Sequence, residues 1–370
     1  MKILTVIGAR PQFIKAAAVS RAIHLNNTIK KVQVKEYILH TGQHFDPNMS
    51  DIFFDELGIP KADFNLGISN LAHGAMTGRM IEAIEKKLID LKPDYLLVYG
   101  DTNSTLAAAI AASKIQIPLL HIEAGLRSFN LSMPEEINRI LTDRISSFLF
   151  CPTQTAMDNL KKEGFPHITL SNNPQLIFDI GDVMHDVTLH YKQQAIEAYP
   201  ISNWGLEEKG YGLCTIHRAE NVDNHKKLED ILLALSEVSN DIDIVLPLHP
   251  RTKQKIKKNG KLNLLDKFII TEPLSYLKMQ SLESSAKVIF TDSGGIQKEA
   301  YFHKIPCITL REETEWVETI DSGWNTLAGS DKKRIISSYS NLRCPAIHEQ
   351  PYGDGNASNK FLDLLIKNHG

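Results

Sequence analysis

The chain alternates short, continuously apolar runs with polar turns and with segments whose apolar positions recur every three or four residues. Unbroken apolarity marks a strand covered on both faces, as in a parallel sheet, and the helical period marks the crossover that follows it. In the first half this predicts strands at Ile3–Ile7, Glu36–His40, Tyr95–Tyr99, Leu119–Ile122 and Phe148–Cys151, the second being the weakest. Helices are predicted between them at Pro11–His24, Gly74–Leu91, Thr105–Lys114, Pro134–Ser147 and Thr155–Gly164. The pattern restarts with strands at Gly212–Ile216, Ile242–Leu246, Phe268–Ile270, Val288–Thr291 and Cys307–Thr309. Helices there are predicted at Lys226–Ser239, Tyr276–Glu283 and Gly295–Phe302. The stretch from Phe165 to Gly210 is the weakest in pattern, regularity fades after Tyr339, and Asn356–Asn368 reads as a closing amphipathic helix. The expectation is an α/β chain of two doubly wound, Rossmann-like domains facing a cleft. Residues 1–175, with a helix near 355–370, form the first, and residues 176–354 the second. In such sheets ligands sit beyond the carboxyl ends of the strands.

A length of 370 residues fits two domains, and 42% apolar with 23% charged residues excludes a disordered or fibrous chain. The net charge of −3 supplies no basic field for nucleic acid or for a membrane surface. The longest markedly apolar, charge-free stretch, Thr102 to Ser113, is far short of the roughly 20 residues a membrane span needs. The opening MKILTVIGARPQFIK meets Arg10 and Lys15 at once and reads as a first strand rather than a signal peptide. Cys151, Cys214, Cys307 and Cys344 are widely spaced, without metal-type pairing, as expected of reduced thiols in a cytoplasmic protein.

Polar chemistry gathers at the predicted strand ends. After the first strand come Gly8-Ala9-Arg10-Pro11-Gln12 and then Lys15. Two cations at a helix start oppose the macrodipole, so an anion site is the reading, with solvated charges as the alternative. Tyr99-Gly100-Asp101-Thr102-Asn103-Ser104 opens the Ala-rich helix. Asp101 either caps it or, because the next three residues can also cap, faces the site. His121-Ile122-Glu123-Ala124-Gly125 places a Glu at the end of a buried strand, either as an acid–base group or as the ion-pair partner of Arg127 or Arg139. Met133-Pro134-Glu135-Glu136 starts the next helix, so Asp101, Glu123 and Glu135 come from consecutive loops of one sheet. In the second half, strands deliver His217-Arg218 and His249-Pro250-Arg251, the pairing that diphosphate binding requires. Thr291-Asp292-Ser293-Gly294-Gly295 then leads into a helix, where two glycines, a hydroxyl and the helix dipole suit a phosphate, and Glu299 a turn later suits the hydroxyls of a ribose. The absence of GxGxxG, Tyr-xxx-Lys, Walker A and HExxH motifs argues against NAD-dependent epimerisation, ATP hydrolysis and zinc catalysis.

GARPQFIK, TGQH, YGDTNST, HIEAGLRS, MPEEINR, TIHRAEN, TDSGGIQKEA and the Glu-Thr-Glu of REETEWVE follow in this order over nearly the whole chain. Together they resemble the non-hydrolysing UDP-N-acetylglucosamine 2-epimerases. The resemblance implies the two-domain fold of the type-B glycosyltransferases (GT-B), with UDP held mainly by the C-terminal domain. It implies reversible inversion at C2 of UDP-GlcNAc to UDP-ManNAc for cell-surface polysaccharide, by a homodimer with neither metal nor NAD. By position, Asp101, Glu123, Glu135 and His217 match the family's catalytic residues. Arg10, Lys15, Gln43 and Arg139 match ligand contacts, and Ser293, Gly294, Gly295 and Glu299 match the UDP site. Three features depart from the common pattern: Gly-Ala-Arg-Pro-Gln at the first loop, the stretch Ser69–Arg79 where bacterial members line an allosteric UDP-GlcNAc site, and a longer Ser171–Phe178. They resemble a branch that includes epimerases of UDP-2,3-diacetamido-2,3-dideoxy-glucuronic acid, which leaves two substrates open. Two alternatives from other classes remain, a UDP-sugar glycosyltransferase on the same fold and a non-catalytic UDP-sugar sensor, which would need no carboxylate trio.

Overall fold

A computed structural model describes residues 1–29, 32–43, 56–168 and 173–369. His44 of the TGQH motif and Ser171 and Asn172 of the long segment lie outside them. The chain forms two compact units, Met1–Val187 with Gln350–Gly370, and Thr188–Glu349.

The first unit holds β1 (Lys2–Ile7), β2 (Lys35–His40), β3 (Phe64–Asn65), β4 (Tyr95–Tyr99), β5 (Leu119–Ile122), β6 (Phe148–Cys151) and β7 (Leu176–Asp179). They run parallel in the order β3-β2-β1-β4-β5-β6-β7. Every residue of β4, β5 and β6 is buried, as their unbroken apolarity demanded. Helix Asn103–Lys114 turns Ala107, Ala108, Ala109, Ala111 and Ala112 into the core beside Ile84 and Leu88 of helix His73–Leu91; small side chains let the two approach closely.

The second unit repeats the plan with β8 (Tyr211–Thr215), β9 (Asp243–Pro247), β10 (Ile269–Thr271), β11 (Val288–Thr291), β12 (Cys307–Thr309) and β13 (Asn325–Leu327). These are parallel in the order β10-β9-β8-β11-β12-β13. In both sheets the winding reverses at the first strand, between β1 and β4 and between β8 and β11, the position where open α/β sheets leave a crevice for ligand.

The weakly patterned stretch proves ordered in large part, with β7 and the 16-residue helix Val183–Ala198. That helix buries Val183, Val187, Tyr191 and Ala195 at intervals of four, but polar His185, Asp186 and Thr188 obscure the period. Asp186 is polar because it caps: its carboxylate accepts the backbone N–H groups of Ala357 (2.9 Å) and Ser358 (2.7 Å) at the start of helix Ala357–Lys367. Phe361 of this closing helix meets Phe150 of β6 edge to face. Helices Pro250–Lys258 and Lys332–Ser340 and strands β3 and β13 were also absent from the sequence pattern. The first is so charged that only Thr252 and Ile256 are buried, and the strands span two and three residues. Cys151, Cys214 and Cys307 are buried free thiols, and Cys344 is exposed.

Candidate active site

In the first unit the switch point is built by three turns. Gln12, buried, staples two of them: its Oε1 accepts the N–H of Gly8 (2.8 Å) and Ala9 (3.1 Å), and its Nε2 donates to the Tyr99 carbonyl and Thr105 Oγ1, both at 2.9 Å. Gly8 is required by close approach, because a Cβ there would lie 2.2 Å from both Ser104 Oγ and Thr41 Oγ1. Gln43 joins the same corner, accepting from Ser104 N (3.1 Å) and Ser104 Oγ (2.7 Å). Arg10 begins helix Arg10–Ile29, half-buried at its mouth.

Lys15, one turn inside that helix, is ion-paired with Glu123 at the end of β5, both side chains nearly buried. Lys15 was not among the partners anticipated for Glu123. Arg127 instead binds Asp143 at 2.7 Å and Glu163 at 2.7 and 2.8 Å, and Arg139 binds Asp101 and Glu136. Glu123 adopts φ 74°, a left-handed conformation that costs a non-glycine residue about 1 kcal/mol or more and turns its carboxylate under the β4 loop. A Cβ on Gly100 would sit 2.9 Å from Glu123 Oε2 and 3.5 Å from Lys15 Nζ, so the absent side chain makes room for the ion pair.

Asp101 is not a cap. Thr102 caps helix Asn103–Lys114 through the N–H of Thr105, and Asp101 Oδ2 receives two guanidinium N–H groups of Arg139 while its carbonyl accepts from Asn138 at 2.9 Å. Arg139 and Glu135 lie four apart on helix Pro134–Ile145, which brings Glu135 to the same corner, half-buried and without a hydrogen bond or ion pair among the described residues. Its neighbour Glu136 is structural: it accepts from Ser128 N, Ser128 Oγ, Phe129 N and Arg139, all within 3.0 Å. The first unit thus gathers Lys15, Gln43, Asp101, Glu123, Glu135 and Arg139.

Behind them lies a network that the motifs did not reveal. His121 Nε2 donates to the Gly100 carbonyl (2.8 Å), its Nδ1 meets Asp143 (2.7 Å), and Asp143 also takes the N–H of Gly125 (3.1 Å). Burial pushes the Asp143 carboxyl up, yet His121 and Arg127 outweigh it and hold it below its ordinary value. The turn carrying Asp101 is fixed through this chain.

In the second unit Asp292 is the organiser. Fully buried at the end of β11, it accepts the N–H of His217 (3.1 Å) and Arg218 (3.0 Å), the amide of Asn221 (3.1 Å), and lies 3.1 Å from His217 Nδ1. Desolvation raises its carboxyl, but His217 and these donors bring it below its ordinary value. The His217 ring is half exposed. Ser293 caps helix Gly294–Phe302. Gly294 leaves space for Trp316, whose Nε1 would stand 3.2 Å from a Cβ, and Lys298 lies over that indole at 3.7 Å. Glu299, 6% exposed, receives an N–H from Gln280 at 3.1 Å. His249, exposed, accepts Arg251 N through its Nδ1 and so caps helix Pro250–Lys258 at the end of β9, and Arg251 pairs with exposed Asp223. Arg218 caps the short helix Ala219–Val222 with its backbone. Among the described residues no group of three or more His, Cys, Asp or Glu could hold a metal, and no helix is long and apolar enough to cross a membrane.

The chain matches the family model for UDP-N-acetylglucosamine 2-epimerase over residues 27–366. It is 49% identical, over 99% of its own length and all of the relative's, to the UDP-2,3-diacetamido-2,3-dideoxy-D-glucuronate 2-epimerase of Pseudomonas aeruginosa. It is 35% identical over the full length of both chains to the UDP-N-acetylglucosamine 2-epimerase of Neisseria meningitidis. The crystal structure of the Methanocaldococcus jannaschii UDP-GlcNAc 2-epimerase with UDP-GlcNAc and UDP superposes with a TM-score of 0.89 at 40% identity, covering both chains completely. The fold is of the GT-B type, two Rossmann-like units in one chain. The chain is an epimerase and belongs to the UDP-N-acetylglucosamine 2-epimerase family.

Proposed function

We propose that the protein inverts C2 of a UDP-linked N-acetylated amino sugar, converting UDP-GlcNAc reversibly to UDP-ManNAc, by eliminating UDP and adding it back. The observation that carries the reading is the corner at the end of β4 and β5, where Asp101, Glu123 and Glu135 stand with Lys15 and Arg139.

The C2 proton of such a sugar is not alpha to a carbonyl, and direct removal would leave a poorly stabilised carbanion. Elimination avoids it. The C2–H pair becomes the C1–C2 double bond of 2-acetamidoglucal as the C1–O bond breaks, the proton passes to a carboxylate, and the electron pair leaves with UDP. Re-addition delivers a proton to the opposite face of C2 while UDP returns to C1. This needs acid–base groups on two faces, assigned to Asp101 and Glu135. Glu123 steadies positive character at C1 or relays protons, and its exchange of Lys15 for substrate charge is chemically reasonable because the pair is salt-bridged rather than covalently fixed. Departing UDP is held by Ser293, Gly294, Gly295, Glu299 and His217, with Arg10 and Lys15 offsetting its charge.

A second reading, epimerisation of UDP-2,3-diacetamido-2,3-dideoxy-glucuronic acid, is favoured by the 49% full-length identity to the Pseudomonas enzyme. Incubation of each sugar nucleotide in deuterated water decides between them. The true substrate gains deuterium at C2 and a manno-configured product, without net loss of UDP-sugar. Release of free UDP and N-acetylmannosamine would mark a hydrolysing enzyme, and transfer without C2 exchange a glycosyltransferase. Asp101→Asn and Glu135→Gln should each lower C2 exchange at least ~100-fold; near-native exchange in both would overturn the assignment.

A further inference from the structure

We propose that Gln280, oriented by His303, is a positioning residue that holds Glu299 for recognition of the ribose diol, and so sets the preference for a ribonucleotide; this rests on the ribose reading of Glu299 above. Gln280 is fully buried on helix Tyr276–Ser285, with no route to solvent and no direct part in the cradle. Its amide makes three hydrogen bonds. Nε2 donates to Glu299 Oε1 at 3.1 Å and to Glu283 Oε2 at 3.0 Å, and Oε1 lies 2.8 Å from His303 Nε2.

Only one orientation of this amide satisfies its surroundings. Flipped, it would aim its oxygen at two carboxylates and its N–H groups at the imidazole. His303 enforces the observed one: burial pushes its pKa down to about 3, and the charges of Lys192 and Lys209 also favour the neutral ring. A neutral imidazole has a single N–H, and the short contact places it on Nε2, donating to Gln280. Nδ1 has no partner. The relay runs from His303 N–H to the Gln280 carbonyl oxygen, and from the Gln280 N–H to Glu299. One Glu299 oxygen is thereby fixed, which leaves the carboxylate a set direction in which to accept the two ribose hydroxyls. Glu283, also buried, takes the other N–H, so the amide is fully engaged and cannot rotate away.

The measurement is the ratio of affinities for UDP and 2′-deoxy-UDP by calorimetry, a quantity that general loosening of the fold leaves alone because both ligands lose equally. The wild type should prefer UDP by at least ~10-fold, the worth of a hydrogen bond to a charged group. Glu299→Gln should lose that preference. Gln280→Met and the shorter Gln280→Asn should bring it within about threefold of unity, while His303→Gln, which still offers an N–H to the amide oxygen, should keep it. Asn retains the polar group, so one Gln280 variant remains foldable should the Met variant fail. Full ribose preference in a folded Gln280 variant overturns the positioning role while leaving Glu299 as the ribose ligand. A wild type indifferent to loss of the 2′-hydroxyl, or a Glu299→Gln protein that keeps the full preference for UDP, overturns the ribose reading itself.

Discussion

Asp101, Glu123 and Asp143 in the first unit are each held by a side-chain cation, from Arg139, Lys15 and Arg127 respectively. In the second unit Asp292 is held by two backbone N–H groups, an asparagine amide and an imidazole, and Glu299 by a glutamine amide. The two devices serve different ends. A long cationic side chain can leave one anion for another, which would keep Asp101 and Glu123 available for the proton transfer proposed for them. A carboxylate ringed by backbone and amide donors keeps both its charge and its place, as a ligand cradle demands. The energetic consequence differs as well: removing the anion takes a charged partner from a buried cation in the first unit and leaves chiefly unsatisfied dipoles in the second.

The comparison breaks or holds on paired substitutions. Asp143→Asn leaves the Arg127 guanidinium without its buried counter-charge and turns an amide N–H toward one of three donors, from His121, Arg127 and Gly125. It should cost about 3–5 kcal/mol in urea unfolding, in line with breaking a buried pair. Asp292→Asn should cost less, about 1–3 kcal/mol, because its lost partners are chiefly neutral N–H groups. Equal costs would show that charge is not what separates the units. Both carboxylates lie below their ordinary values, so their stabilisation is present above about pH 4 and is lost as pH falls through the lower folded-state values.

Loop chemistry was legible in the sequence because it depends on residue type at a strand end: Gly8, Asp101, Glu123 and Ser293-Gly294-Gly295 stand where parallel strands stop. Asp143, Gln280 and His303 were not, since each sits in a helix or directly after one and acts on a residue 18 to 23 positions away. A polar residue in an amphipathic helix carries no mark of whether it faces water or a partner. The same blindness hid helix Val183–Ala198, whose Asp186 looks solvent-directed in the string and is a buried cap in the fold. His249 shows a second role that the string hides: a His beside an Arg at a strand end reads as a phosphate ligand, and here Pro250 also starts a helix that the imidazole Nδ1 caps.

A smaller effect tests the second unit's neutral wiring. His303 titrates near 6.5 when unfolded but near 3 when folded. Between those values the unfolded chain binds the extra proton, so stability rises with pH and falls on acidification, by about 1.4 kcal/mol for each unit at full slope. Urea melts at pH 7, 6 and 5 should show this loss setting in below 6.5. His303→Gln should flatten it by about 1 kcal/mol per unit. An identical slope in the variant would mean that the folded protein admits an imidazolium there, contrary to the neutral relay through Gln280.

The smallest expected effect on the fold belongs to Gly295, and it is informative for that reason. Glycine at 294 is explained from within, since a Cβ would press on Trp316 at 3.2 Å. Glycine at 295 is not: its φ lies outside the left-handed range, and the nearest atom to a Cβ is Ser293 Oγ at 3.8 Å, an ordinary contact. It also occupies the first turn of helix Gly294–Phe302, where alanine would be the better helix former by up to about 1 kcal/mol. The fold alone therefore gives no reason for glycine at this position, whereas a diphosphate approaching the helix N-terminus does, because a methyl group would occupy the space its oxygens need. Gly295→Ala should melt at or slightly above the wild-type temperature and bind UDP at least ~10-fold more weakly by calorimetry, the equivalent of one hydrogen bond to a charged group. A variant that gains stability while keeping its UDP affinity would remove the phosphate cradle from this loop and leave Ser293 as nothing more than a helix cap.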